Sequence, residues 1–152
     1  MLELFAALVL TTATLDTPEE EAAAAIDALH AAAASADGPA YFALFTPDAR
    51  FIGTDATERW SLAEFRAYAE PYFARGQGWT YTPVERTVTI APIQCGCVAW
   101  FDEVLDSQSY GVTRGSGVLR KTRTGWKIEQ YVLSFTVPND RARAVVETIT
   151  AD

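Results

Sequence analysis

The chain has 152 residues, of which 49% are hydrophobic and 12% aromatic, and a net charge of −8. That length favours one domain with a core that needs no staples, and the composition excludes a disordered chain. An acidic chain without a Lys/Arg cluster argues against nucleic acid and against an anionic membrane surface as partners.

The opening segment, MLELFAALVLTTATLD, holds a short apolar run from Leu4 to Leu10. An export signal has such a run but wants a positive stretch before it, and the only early charge is Glu3. The run is too short to span a bilayer. Residues 1–16 read as either a signal or an N-terminal extension, with the cytoplasm favoured over export, and residues 17–152 as one domain.

Thr17-Pro18-Glu19-Glu20 is a helix start: Thr17 can cap, Pro18 sits at the first helical position and Glu20 can reach back. The Ala-rich helix should run to about Ser35 and stop at Gly38-Pro39. It carries the single histidine, His30, which reads as a surface or packing residue and not as a base. A short helix over residues 40–45 and a strand over 48–53 follow. Ser61-Leu62-Ala63-Glu64 is a second capping box, opening a helix to about Arg75 that Pro71 should kink or interrupt.

From Trp79 the period changes to two. Four strands follow, in WTYTPVERTVTIAP, CGCVAWFDEVL, SYGVTRGSGVLRKT and WKIEQYVLSFTVP. Their short connections predict an antiparallel meander of four or five strands, with Asn139-Asp140 capping a last helix. Helices first and strands after give an α+β fold. The strand from Cys95 to Leu105 is apolar on both faces. Helices can cover only one, so the other predicts a homodimer. Cys95 and Cys97, roughly 6.5–7 Å apart if on a strand, read as buried thiols and not as metal ligands.

No nucleophile elbow, phosphate loop or metalloprotease motif is present. The chemistry left is carboxylates, Arg and aromatics. In Trp100-Phe101-Asp102-Glu103 the two carboxylates face opposite ways, and Arg114 on the next strand should pair with one of them, register deciding which. Asp55, Asp102 and Arg114 are the candidate catalytic residues. Trp60, Tyr68, Tyr72, Trp79, Trp100, Ser116, Gln130 and Ser134 are the candidate ligand-binding residues, with no metal site. Gly115 and Gly117, alternating with Ser116, leave room for something bulky. In FIGTDATERW, residues 51–60, the charges Asp55, Glu58 and Arg59 beside Trp60 read as a solvated loop or as the rim of a pocket.

The order of elements and the stretches FIGTDATERW, AWFDE, RGSGVL and GWKIEQYVLSFTVPND resemble the nuclear transport factor 2-like superfamily, and within it the SnoaL-like branch, from about Pro18 to Ala151. The resemblance implies a cone-shaped, curved antiparallel sheet with N-terminal helices packed over its concave face, enclosing a pocket; it sets residues 51–60 at the pocket mouth, with Asp55 the charge expected to face the cavity and Glu58 and Arg59 in surface or ion-pair roles. It implies dimerisation through the outer face of the sheet. Related families include aldol cyclases, ketosteroid isomerase, scytalone dehydratase and limonene epoxide hydrolase, which work without metal or organic cofactor. Two functions follow as expectations: a pocket that binds a small molecule without catalysis, or a cofactor-free lyase, isomerase or cyclase acting on a small carbonyl or polyketide-like substrate.

Overall fold

The computed structural model describes residues 16–151; the apolar run and the signal-or-extension reading lie outside them. The elements in chain order are α1 (Pro18–Ala34), α2 (Gly38–Ala43), β1 (Phe45–Ile52), β2 (Arg59–Ser61), α3 (Leu62–Phe73), β3 (Thr82–Ile90), β4 (Val98–Ser107), β5 (Gly111–Thr122), β6 (Gly125–Phe135) and α4 (Ala142–Thr150). Among the described residues no helix is long and apolar enough to cross a membrane.

The architecture is α+β, but the sheet is larger than a meander. Six strands lie in the order β2-β1-β6-β5-β4-β3. The last four form antiparallel hairpins. β1 adds beside β6 in parallel, Phe51 opposite Tyr131, because no hairpin links the two and the intervening chain crosses over. The three-residue β2 then pairs with β1, Phe51 opposite Trp60.

Both capping boxes form, at Thr17/Glu20 and Ser61/Glu64. Pro71 does not interrupt α3, which runs through it to Phe73 and forgoes the one bond that an amide there would make to the Ala67 carbonyl. α4 starts at Ala142 without a side-chain cap, so the expected cap at Asn139-Asp140 is not made. α1 buries Ala22, Ile26, Leu29 and Ala33 and packs against β3 and β6. The core lies between these helices and the inner face of the sheet, where Phe101, Leu105, Leu119 and Ile128 are buried.

Strand parity explains most of the rest. On β4 the inner face is Ala99, Phe101, Glu103 and Leu105, all buried, while Trp100 and Asp102 point out. On β6 a register shift opposite Val118/Leu119 breaks the alternation. Trp126 and Ile128 are buried before it, and Tyr131 and Leu133 after it. Gln130, Val132 and Ser134 therefore fall on the outer face, opposite Val118, Ser116 and Arg114. Strict alternation from Trp126 would have placed Gln130 and Ser134 inside.

The cysteines are not buried thiols. Cys95 and Cys97 precede β4, in the β3–β4 connection, and form a disulfide with Cα atoms 5.1 Å apart. The connection turns at Gly96 (φ +53°), so the pair does not have the extended spacing of a strand.

Candidate functional site

A cleft of about 160 Å³ opens between the start of α3, the β1–β2 connection and the β4–β5 turn. Its wall is a run of aromatic rings built by three local decisions. β1 ends on Phe51. The β1–β2 pairing sets Trp60 beside it, ring centres 6.2 Å apart. The cap at Ser61 then starts α3 so that Phe65 stacks on Phe51 at 3.9 Å and Tyr68 on Trp60 at 4.8 Å. Trp79, Tyr81 and Tyr110 close the opposite side, with Gly53, Thr54 and Glu58 at the rim. Burial, with Tyr110 and Tyr68 nearby, pushes the Tyr81 phenol up to about 12, so it is a neutral hydroxyl at ordinary pH.

Behind this cleft lies a second space of about 20 Å³, room for roughly one water molecule. The two share Phe51, Trp79, Tyr81 and Leu133. The inner space is also lined by Leu29, His30 and Ala33 of α1 and by Tyr131.

Next to it lies a charge cluster. Glu103 is 1% exposed. Its Oε1 takes hydrogen bonds from the Tyr131 hydroxyl (3.0 Å) and from His30 Nε2 (2.8 Å), and its Oε2 from Arg86 Nε (2.9 Å). Arg86 Nη1 reaches Asp27 Oδ1 at 2.7 Å. Burial alone would raise the Glu103 carboxyl, but His30 and Arg86 together hold it below its ordinary value. Burial also works against the Arg86 charge, and Asp27 and Glu103 more than offset it. Burial next to the Glu103 charge pushes the Tyr131 phenol well up, which keeps it a donor. An ionised carboxylate only accepts, so His30 Nε2 is the donor of this bond. Nδ1 then has no hydrogen-bond partner among the described residues, and the ring borders the inner space.

Gly115 makes this arrangement possible. A Cβ there would strike the Tyr131 hydroxyl and come within 2.7 Å of Glu103 Oε1. At Gly117 a Cβ would strike the Gln130 carbonyl oxygen of β6 first and would lie 2.9 Å from the Phe101 ring. The two glycines of RGSGVL thus admit an aromatic ring and a carboxylate to the inner face.

The structure divides the expected site residues. Trp60, Tyr68 and Trp79 line the cleft. Tyr72 is a turn further along α3, packs on Tyr68 and is exposed. Trp100, Asp102, Arg114, Ser116, Gln130 and Ser134 lie on the outer face. The pair expected between Arg114 and Asp102 or Glu103 is not made: Arg114 stands opposite Val104, is exposed and points away from the buried carboxylate. The cation that reaches Glu103 comes from the other neighbouring strand, as Arg86. Asp55 does not face the cavity. Its Oδ1 takes the amide (2.8 Å) and hydroxyl (2.6 Å) of Thr57, which hold its carboxyl below the usual value. Glu58, expected in a surface or ion-pair role, lines the cleft and takes the Asp55 amide at 3.2 Å.

Sequence reasoning missed His30, Arg86, Glu58, Tyr81 and Tyr131. For His30 a signal existed: it stands four residues after Ile26 on a buried helix face, and polar groups there need partners. For Arg86 the signal was its place two residues before Val88 on an alternating strand. Among the described residues no three His, Cys, Asp or Glu side chains are grouped to hold a metal ion.

The sequence model of the SnoaL-like domain matches residues 22–138. No curated protein sequence matches the chain. Among solved structures, a proposed dehydratase of the nuclear transport factor 2-like family from Streptomyces avermitilis is similar, with 16% identity, a TM-score of 0.66, and coverage of 79% of this chain and 96% of that one. A nuclear transport factor 2-like protein of unknown function from Pseudomonas putida has 16% identity and a TM-score of 0.66, covering 80% and 89%. A proposed ketosteroid isomerase from Shewanella frigidimarina has 20% identity and a TM-score of 0.60, covering 77% and 97%. At these identities the structures speak to fold alone, while the sequence match spans most of the chain: it belongs to the SnoaL-like domain family.

Proposed function

We propose that the protein binds a small, planar, largely apolar molecule in the aromatic cleft. The observation that carries this is the stacked wall of Tyr68, Trp60, Phe65 and Phe51 facing an open space of about 160 Å³. That is smaller than drug-sized sites of roughly 300–1,000 Å³, so one or two fused rings suit it. The neutral phenol of Tyr81 can donate to a carbonyl or hydroxyl on the ligand. Glu58 at the rim disfavours an anion there. A panel of naphthols and small aryl ketones tests the reading through quenching of tryptophan fluorescence and thermal shift. Trp60→Ala should weaken binding at least tenfold. Equal affinity for wild type and variant would end the proposal.

The free Nδ1 of His30 supports a second, catalytic reading. Glu103 orients the ring and Nδ1 is left to take a proton, directly or through one water in the inner space. This is acid–base chemistry next to a carbonyl, as in a lyase or isomerase. The Shewanella and Streptomyces proteins point the same way by name only. Exchange of α-protons of a bound ketone with deuterated solvent is the assay. His30→Gln should abolish exchange while leaving ligand binding intact, and exchange unaffected by that change would remove His30 from the chemistry.

The outer face supports a homodimer. Trp100 is 46% exposed there, with Val98, Val104, Val118 and Val132 half-buried around it. Sedimentation should show a dimer at micromolar concentration that Trp100→Glu converts to monomer. A wild-type monomer would refute the pairing.

A further inference from the structure

We propose that Cys95–Gly96–Cys97 is a surface thiol–disulfide exchange site, independent of the cleft. The pair lies in the β3–β4 connection, at the opposite end of β4 from the β4–β5 turn that borders the cleft. The connection is closed without it. Ala91 N donates to Val98 O, Gly96 N to Ile93 O, and Lys121 N on β5 to Cys97 O. A disulfide between residues two apart constrains the unfolded chain less than any longer loop. A bond that adds so little to the fold, in a connection already held by its backbone, is better placed for chemistry than for stability.

Access favours one sulfur. Pro92, Ile93, Gln94 and Cys95 are exposed, whereas Cys97 is half-buried and its carbonyl is tied to β5. The partner is an exposed dithiol. One of its thiolates attacks Cys95 Sγ, a mixed disulfide forms and Cys97 leaves as a thiolate. The partner's second thiolate then attacks its own sulfur in the mixed disulfide and releases Cys95. The partner loses two electrons and becomes a disulfide. The Cys95–Cys97 pair gains two electrons, and the two protons lost by the partner's thiols pass to the new thiolates, directly or through solvent.

The full chain is equilibrated in glutathione buffers of graded ratio and in millimolar dithiothreitol, quenched with a maleimide and read by mass. Thermal melting is followed in both redox states. The expected result is reversible conversion of both cysteines under native conditions, with a melting shift below about 5 °C. Cys97→Ser should trap glutathione on Cys95 at least tenfold faster than Cys95→Ser traps it on Cys97. Three results would overturn the proposal: reduction only after unfolding by urea, a larger melting shift, or two labelled thiols after treatment with oxidised glutathione.

Discussion

Asp102 and Glu103 are neighbours on one strand and live in different worlds. Asp102 is on the outer face, opposite Ser116 and exposed. Glu103 is on the inner face, buried, and holds three donors from α1, β3 and β6. The two share chemistry and differ only in parity. A carboxylate buried with three partners joins four elements into one body, and a carboxylate on the outer face joins none of them. The comparison also shows where a site can be: the inner face offers shielded charge next to a cavity, and the outer face exposes Trp100.

The largest expected effect breaks that comparison at Glu103. Glu103→Ala leaves Arg86 buried and half-paired and removes the acceptor of His30 and Tyr131. It should cost about 3–5 kcal/mol by urea unfolding. Asp102→Ala should stay within about 0.5 kcal/mol. Equal effects would mean that parity does not decide the role. The same carboxylate gives a pH signature. Its value is lowered in the folded protein, so its contribution is complete above the ordinary carboxylate range. That contribution is lost as the pH falls through the lowered folded value. Glu103→Gln should flatten the acid limb of the stability curve, and an unchanged limb would contradict the assignment.

Next in size is Gly115, set against Ser116. Gly115→Ala puts a methyl group into the space where the Tyr131 hydroxyl meets Glu103. Overpacking of this kind costs about 1–3 kcal/mol. Ser116→Ala, one residue along on the outer face, should melt as wild type. In Gly115→Ala the further change Tyr131→Phe should recover part of the loss, because it removes the clashing oxygen. No recovery would place the strain elsewhere.

These pairs show what was legible in the sequence. Period two located the strands from β3 to β6, and capping boxes located α1 and α3, because both signals are local. The opposite faces of Asp102 and Glu103 followed from parity alone. What failed depended on neighbours. The identity of the cation on Glu103 required the register of β3 on β4, which sets Arg86 opposite it; the predicted meander placed both β3 and β5 beside β4 without saying which of them supplies the charge. The positions of Gln130 and Ser134 required a bulge that no residue type announces. The parallel pairing of β1 with β6 required long-range topology. His30 reads as a surface or packing residue from its type alone, although it stands four residues after the apolar Ile26 on the same helix.

The smallest effects belong to the rim, where Asp55 and Glu58 repeat the contrast on one short connection. Asp55 is held by Thr57 within its own turn, and Glu58 borders the cleft while accepting the Asp55 amide. The cleft ligand should therefore sense one carboxylate and not the other. Asp55→Asn keeps an acceptor for the Thr57 amide and should leave both melting and affinity for a naphthol unchanged. Glu58→Gln removes a charge from the mouth, and affinity for a carboxylated naphthalene should rise several-fold as repulsion is relieved. The gain should shrink at high salt, since charges at an open rim are screened within roughly 10 Å at 0.1 M ionic strength. A gain of equal size for the neutral naphthol would show that Glu58 acts by shape and not by charge.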